Sequence, residues 1–160
     1  MPYSQYVAGR EPPSLADRIL AHSQTIPLSL LSFIFGLLIV VSITTDIEIS
    51  RSLAESEPFV MAAVAAPLVA GPPAIIHGAL NPGLRMRPLT AMALERAGSI
   101  ATGAGAAAFA LGILLSGNTL AIGTALVTTA VSLAFLLQAL ALKLTEVRVK
   151  ARRDAEITGG

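Results

Sequence analysis

Four long runs of apolar residues, none of which contains Asp, Glu, Lys or Arg, constrain the fold of this 160-residue chain more than any other feature. They cover residues 26–45, 59–80, 97–115 and about 120–142. A helix of about 20 residues is about 30 Å long, which is the thickness of the hydrocarbon layer of a bilayer. Because backbone polar groups in lipid must be hydrogen-bonded within the segment, we expect each run to form a transmembrane helix.

The composition of the chain agrees with this interpretation. Hydrophobic residues make up 54% of the sequence and charged residues only 13%, whereas about a quarter of the residues in a soluble domain are charged. We therefore predict an all-α polytopic membrane protein whose four transmembrane helices occupy residues 26–142. A cytoplasmic N-terminal segment at 1–25 precedes them, and a basic cytoplasmic tail at 143–160 follows.

The first run has an alternative interpretation as a cleavable signal peptide, since Arg10 and Arg18 precede it. Its apolar stretch is longer than that of most signal peptides, and no small-x-small cleavage site follows it. These two features favour a transmembrane helix that stays in the protein.

The second run contains an unusual concentration of helix-breaking residues, namely Pro67, Gly71, Pro72 and Pro73. Each internal proline removes one backbone hydrogen bond and crowds the carbonyl four residues earlier, so the pattern predicts a helix that is kinked or broken near its middle. A broken helix could line a substrate or ion site, as in some transporters. A simple packing kink is the favoured alternative, because such sites usually come as paired segments and no second one occurs here.

The third run is rich in small residues, and its helix is expected to begin further back, near Pro88 or Thr90. Small residues four apart let another backbone approach closely, so they predict a helix-packing face. That face consists of Gly98, Ala101, Thr102, Gly105 and Ala106, and Ala104 and Ala108 form a further pair at the same spacing. The sequence favours a partner helix in the same chain, with a helix of another copy as the alternative.

The fourth helix is predicted to continue beyond the membrane. Residues 116–119 form a short connector before it, so the last two helices make a hairpin. Past residue 142 the helical periodicity persists, with an apolar stripe opposite a charged one. The apolar stripe is Leu140, Leu144, Val147 and Ala151, and the charged stripe is Lys143, Glu146, Lys150 and Arg153.

The distribution of charge predicts the orientation. Ten of the eleven Lys and Arg residues lie in the N-terminal segment, in the loop between the second and third runs, or in the tail. The other side holds Arg51 together with the acidic residues Asp46, Glu48, Glu55 and Glu57. By the positive-inside rule, both termini are expected in the cytoplasm. The residues expected to anchor this topology are Arg85, Arg87, Lys143, Arg148, Lys150, Arg152 and Arg153. The basic tail could alternatively bind anionic lipid, although its acidic residues dilute the charge.

Few residues suited to chemistry are present. The chain has no cysteine and no P-loop, dinucleotide-binding, nucleophile-elbow or HExxH motif. Its two histidines, His22 and His77, have no acidic or histidine neighbours at metal-ligand spacing. Gln138 is the main large polar side chain within a run, and we expect it to hydrogen-bond across helices rather than line a pore. We therefore expect no enzymatic activity, cofactor, metal or nucleic-acid partner.

The Glu95-Arg96 pair that opens a Gly/Ala-rich span (ALERAGSIATGAGAAAFALG), together with the charged tail from Lys143 to Arg153, resembles small membrane proteins encoded by bacteriophages of actinobacteria. Some of those proteins are holins or holin-like components of lysis. The resemblance covers roughly the second half of the chain and implies a membrane protein that works by assembling.

Three functions follow as hypotheses. The first is a non-enzymatic protein that acts by helix–helix assembly, either as a holin-like homo-oligomer or within a larger complex. The second is an accessory subunit of a respiratory, transport or secretion complex, and the third is a small channel or transporter that uses the proline-rich second span. The excess of nine arginines over two lysines suits a bacterial or phage genome, so we expect the bacterial inner membrane as the location.

Overall fold

The computed structural model describes residues 14–45, 58–80, 87–116 and 121–158. These residues form five α-helices and no strand. The helices are α1 (Leu15–Ala21), α2 (Thr25–Thr45), α3 (Pro58–Leu80), α4 (Pro88–Leu115) and α5 (Ile122–Thr158). Helices α2 to α5 are each long and apolar enough to cross a membrane. The predicted all-α polytopic membrane fold with four spans is therefore confirmed.

Helix α1 lies in the segment at 1–25, where no helix was predicted. Its start is a capping box: the Asp17 amide donates to Ser14 Oγ at 3.2 Å, and the Ser14 amide donates to Asp17 Oδ2 at 3.1 Å. This reciprocal pair satisfies backbone donors that have no partner within the helix. The Ser-x-x-Asp spacing could have revealed the helix.

Helices α4 and α5 extend beyond the apolar runs. Helix α4 begins at Pro88, where a missing N–H costs no helical hydrogen bond. Helix α5 continues unbroken to Thr158 and is about 55 Å long, so the tail continues the fourth span as expected. The connectors at 46–57, 81–86 and 117–120 lie outside the described residues.

The second span corrects one prediction. Helix α3 is continuous through Pro67, Gly71, Pro72 and Pro73, so a helix break at these residues is wrong. A break in the helix would expose further backbone N–H and C=O groups to lipid, which offers them no hydrogen-bond partner. Close packing against neighbouring helices stabilises the helical turns around the prolines. A kink within the continuous helix stays a prediction.

The extensive helix contacts join helices that follow one another in the chain: α2 with α3, α3 with α4, and α4 with α5. Each pair is antiparallel. For example, Gly78 near the end of α3 lies against Ala91 near the start of α4, whereas Gly105 further along α4 lies against Val64 of α3. The described ends of the chain therefore lie on the same side of the bundle, which we call the N-terminal side.

The interface between α3 and α4 depends on glycine. A Cβ added to Gly71 would lie 2.7 Å from the carbonyl oxygen of Gly98, and one added to Gly98 would lie 2.8 Å from the backbone nitrogen of Ile75. Real Cβ atoms essentially never approach other atoms so closely. The two backbones are therefore as close as small residues allow.

A core cluster joins all four spans on the side of the bundle away from the termini. It includes Ile39 of α2, Met61 of α3, Phe109 of α4 and Ala125 of α5. The rings of Phe35 and Phe109 meet edge to face with centroids 4.8 Å apart, which connects α2 to α4 across this cluster.

Candidate functional site

A buried carboxylate lies among polar side chains at the N-terminal side of the bundle. Glu95 is only 1% exposed, and it lies two turns into α4, inside a helix that can span the membrane. Gln138 Nε2 of α5 donates to Glu95 Oε1 at 2.9 Å. His22 Nδ1, just after α1, lies 3.5 Å from the same oxygen. The cluster therefore ties α1, α4 and α5 together through one carboxylate oxygen.

A second contact connects α1 to the bundle at Arg18. This arginine is 2% exposed, and its Nη1 donates to the carbonyl oxygen of Leu80, the last residue of α3, at 2.8 Å. The last carbonyls of a helix have no partner within the helix and carry partial negative charge, so a guanidinium is a favourable partner there. Helix α1 thus places two nitrogen-bearing side chains into the N-terminal side of the bundle.

This cluster was not predicted from the sequence. Glu95 was expected at the cytoplasmic edge of the third run, and His22 has no acidic or histidine neighbour at metal-ligand spacing in the sequence. The structure brings the two side chains together, because α4 begins at Pro88 and includes Glu95, and because His22 at the end of α1 lies beside Glu95. Residues so far apart in the chain carry no spacing signal, whereas the hydrogen bond across helices that was expected of Gln138 is present. His77 lies at the end of α3 and is exposed.

A separate ionic cluster surrounds Glu146 on α5. Arg96 of α4 forms an ion pair with Glu146 Oε2, and Lys150 Nζ lies 2.7 Å from Glu146 Oε1. Lys143 lies 3.8 Å from the same carboxylate. The Arg96 contact joins α5 to α4 beyond the apolar part of the span, whereas Lys143 and Lys150 lie on α5 itself.

Three residues of the packing face predicted for the third span, Gly98, Thr102 and Gly105, lie against α3 in the same chain. Gly98, Thr102, Gly105 and Ala106 are buried, and Ala101 is half-buried. A Cβ added to Gly105 would lie 2.9 Å from Pro67 and from Leu68 of α3. This face is therefore occupied within the bundle.

The opposite side of α4 is exposed and is also made of small residues. The exposed small residues of α4 in its middle turns are Ala93, Ala97, Ala104, Ala107, Ala108 and Gly112. Helix α3 exposes a similar set, which consists of Ala62, Ala63, Ala66 and Ala70. On both helices these positions point away from the core cluster, since core residues such as Leu68 and Ala106 lie about half a turn away. Together they form one surface, which we call the alanine face.

The outer surfaces of α2 and α5 differ sharply from the alanine face. Between Ala62 and Leu80, α3 exposes no large apolar side chain, and between Ala93 and Gly112, the large apolar side chains that α4 exposes are Ile100 and Leu111. By contrast, α2 and α5 present Leu, Ile and Val along their length. The exposed set is Leu30, Leu31, Ile34, Leu37, Leu38, Val40 and Val41 on α2, and Ile122, Leu126, Val127, Leu133, Leu136, Leu137, Leu140, Leu144 and Val147 on α5.

The basic residues predicted to anchor the topology gather on the N-terminal side as far as they are described. Arg87, Lys143, Arg148, Lys150 and Arg152 are exposed there. Arg85 and the side chain of Arg153 lie outside the described residues. The acidic residues of the 46–57 loop also lie outside them.

Two prolines of α3, Pro72 and Pro73, line a shallow apolar groove of about 350 Å³ at the surface between α2 and α3. Its lining residues are Leu30, Phe33, Pro72, Pro73, Ile76, His77 and Leu80. It contains no acidic group, and among the residues that the structure describes no cluster of His, Cys, Asp or Glu could hold a metal ion. This groove has the character of a lipid-facing surface.

Comparison of the chain with protein-family models, with curated proteins and with solved structures gives no match. The fold and the geometry described above define an integral membrane protein with four apolar helices in a bundle.

Proposed function

We propose that this membrane protein acts without enzymatic chemistry, by assembling with other transmembrane helices through the alanine face. The observation that supports the proposal is the contrast between the exposed small side chains of α3 and α4 and the large ones of α2 and α5. The neighbouring helices α3 and α4 both expose mainly small side chains on the same side of the bundle. A stripe of small residues on one helix alone would be weaker support for a contact surface.

The physical reason lies in how helices associate in lipid. Lipid tails are as apolar as leucine, so burying leucine against a partner helix yields little. Small residues let two backbones approach closely, and the gain in van der Waals contact drives association. The glycine-lined contact between α3 and α4 uses this principle inside the chain, and the alanine face offers the same chemistry outside it.

The partner is either a second copy of this chain, as in a holin-like assembly, or a helix of another membrane protein, as in an accessory subunit. Gly98, Thr102 and Gly105 take no part in that contact, because α3 already covers them. Both termini are proposed to lie in the cytoplasm of a bacterial cell, because the described basic anchors gather on the N-terminal side.

The channel or transporter hypothesis loses its motivation. It depended on a broken second span, whereas α3 is continuous and the adjacent groove is apolar. The buried Glu95 and the half-buried Gln138 contact one another instead of lining that groove.

The test uses leucine substitutions that enlarge side chains on the alanine face. In Ala104→Leu/Ala108→Leu, two exposed alanines four residues apart become bulky, and we expect loss of the oligomer or of the copurifying partner. The matched control is Ala130→Leu/Ala134→Leu, which makes the same change at exposed positions of α5 with the same spacing. Native mass spectrometry after gentle extraction from lipid measures the assembly.

The measured mass and its change in the two variants decide the proposal. A homo-oligomer that only the first variant disrupts supports self-assembly, whereas a stoichiometric partner that only this variant loses supports a subunit. A wild-type chain that is monomeric and without a partner, or an assembly that both variants disturb equally, contradicts the alanine face as the contact.

A further inference from the structure

The end of α5 carries an exposed apolar stripe on the part of the helix that continues past the apolar run. The stripe consists of Leu140, Leu144, Val147 and Ala151, and we call it the tail stripe. Its three large side chains are 55%, 52% and 52% exposed, and Ala151 is exposed as well. The tail stripe therefore presents a continuous apolar surface along one side of the helix.

The surroundings of the tail stripe differ from those of the leucines within the span. Helix α5 runs unbroken to Thr158, so residues 143–158 continue the axis of the span for about 24 Å beyond residue 142. Leucines within the span face lipid, where burial against a partner yields little. Leu144 and Val147 lie among charged residues of the extension, where water is the solvent. Covering these two side chains removes apolar surface from water and so stabilises a contact.

The spacing of the tail stripe indicates the shape of its partner. Its members are separated by four, three and four residues, which is the spacing of the apolar seam in a coiled coil. The other side of the helix carries Glu146, which is buried and pairs with Arg96 of α4. The tail stripe therefore points away from the bundle. A second helix with the same apolar spacing is the element that fits it.

The edges of the tail stripe are basic. Four exposed basic residues lie along them, Lys143 and Lys150 on one edge and Arg148 and Arg152 on the other. Both lysines also lie near Glu146, so their charge is partly neutralised within α5. Between residues 143 and 153 the chain has five basic residues and one acidic residue, and Asp154 follows beyond the tail stripe. A partner helix would thus meet positive charge beside the apolar contact, above all along the arginine edge.

The same charges disfavour a second copy of this chain as the partner. Copies that insert in the same orientation have parallel extensions. In a parallel coiled coil, the residue before one seam position faces the residue that follows the next seam position but one of the other helix. This arrangement would place Lys143 of one copy opposite Arg148 of the other copy. Like charges at these positions oppose pairing.

An anionic lipid surface also fits poorly. An amphipathic helix binds such a surface by lying in the plane of the headgroups. The extension is instead continuous with a helix that can span the membrane, so it points away from the bilayer. Leu144 and Val147 are therefore better placed to meet a protein than a lipid.

We propose that the tail stripe is a docking site for an amphipathic helix of another protein, whose apolar stripe has the same spacing and whose edges are acidic. Leu144 and Val147 insert between the side chains of that helix, and Arg148 and Arg152 pair with its carboxylates. The tail stripe is separate from the alanine face, which lies on α3 and α4. Each of the two proposals can therefore fail without the other.

The experiment measures peptide binding to the full chain in nanodiscs of uncharged lipid, with empty nanodiscs as the blank. The probe is a fluorescent helical peptide of about three heptads, with Leu at the two seam positions and Glu at the positions beside the seam. The comparison peptide has Lys in place of each of these Glu residues. Fluorescence anisotropy gives both dissociation constants. We expect the acidic peptide to bind about tenfold more tightly than the basic one, and to bind more weakly at high salt.

Two double variants test the apolar part of the contact. Leu144→Ala/Val147→Ala should weaken binding of the acidic peptide about tenfold, because two exposed apolar side chains are shortened. The matched control is Leu126→Ala/Val127→Ala, which changes the same residue types at positions 66% and 65% exposed near the other end of α5. This control should bind like the parent chain, and circular dichroism confirms that both variants remain helical.

Two further variants test the charges and the independence from the alanine face. Arg148→Glu/Arg152→Glu reverses the arginine edge, so we expect it to remove the preference for the acidic peptide. Ala104→Leu/Ala108→Leu changes the alanine face and should leave peptide binding unchanged. Loss of the assembly in that variant with intact peptide binding would separate the two surfaces.

Three results of the binding experiment would overturn the proposal. They are a parent chain that binds neither peptide, a parent chain that binds both equally, and a control variant that loses as much binding as Leu144→Ala/Val147→Ala. Pairing of the parent chain that this same variant dissociates would instead assign the tail stripe to a second copy.

A spin label tests the lipid surface as the alternative occupant. Because the chain contains no cysteine, Leu144→Cys can be labelled specifically. We expect the label to remain accessible to a water-soluble relaxation agent in nanodiscs that contain phosphatidylglycerol. Protection of the label in these nanodiscs would assign the tail stripe to the bilayer surface and overturn the proposal.

Discussion

The two ends of the bundle interior contain different types of residue. On the N-terminal side, Glu95, Gln138, His22 and Arg18 form polar contacts that join the helices. On the opposite side, Phe109 and its neighbours in the core cluster pack without polar contacts among themselves. Helices α3, α4 and α5 supply both ends, whereas α1 contributes to the polar end and α2 to the apolar end. A membrane bundle can therefore be held together at one end by hydrogen bonds and at the other by shape, because burial of apolar surface alone does not hold helices together in lipid.

We expect the largest effect at the glycine interface between α3 and α4, because both ends of the bundle depend on this contact. Gly98→Leu would force a side chain into the backbone of Gly71 and Ile75, so the two helices must separate. We expect loss of the folded bundle, measured as loss of the cooperative thermal transition in detergent.

The matched control is Gly123→Leu. A Cβ at Gly123 would meet nothing within 4 Å, so this variant should unfold at the wild-type temperature. Equal behaviour of the two variants would contradict the close approach of α3 and α4.

The second effect isolates the apolar end. Phe109 is 4% exposed and contacts Phe35 of α2, so Phe109→Ala leaves a cavity and removes the ring contact. We expect a loss of about 2–4 kcal/mol in unfolding free energy. Leu115→Ala on the same helix changes a side chain that is 78% exposed, and it should cost less than about 0.5 kcal/mol. Unfolding in mixed detergent micelles measures both variants.

The smallest of the three effects isolates the polar end. Gln138→Leu keeps the approximate size of the side chain but removes the donor to Glu95 Oε1. Since single interhelical hydrogen bonds in membranes contribute modestly, we expect a loss of about 1–2 kcal/mol in unfolding free energy, measured in the same micelles. Leu137→Ala, at a position 64% exposed, serves as the control. If Gln138→Leu costs more than Phe109→Ala, the polar end contributes more to stability and the order of the two ends reverses.

Much of the architecture could be predicted from the chain. The four spans followed from apolar runs of the length of a bilayer, and the helical tail followed from the continued periodicity after residue 142. The start of α4 at Pro88 is one of the two starts expected from the sequence, and the fixed φ of proline suits a first helical position. These features depend on neighbours within a few turns, so a local pattern contains them. For the second span the sequence predicted a kinked or broken helix and favoured the kink, and the structure contradicts only the break, because α3 is continuous through its internal prolines. A break in lipid would leave further backbone groups without hydrogen-bond partners.

The candidate site was predicted less well. The packing residues Gly98 and Gly105 were identified from their spacing, but spacing could not say that α3 would cover them while the alanines on the other side stayed exposed. The contact between His22 and Glu95 had no signal at all, because it depends on α1 folding back over the end of α4.

The order of residues along the chain was enough to establish that this protein belongs in a bilayer, how many of its helices can cross it, and where those helices lie. Lipid imposes a length and a polarity on every segment separately, so each span can be recognised without knowledge of the others. Tertiary packing was needed to establish which small-residue face is buried, which is left exposed, and which polar residues share the buried site of Glu95. These outcomes depend on the rotation of each helix about its axis, which is set by packing against the other helices rather than by the lipid that all of them share.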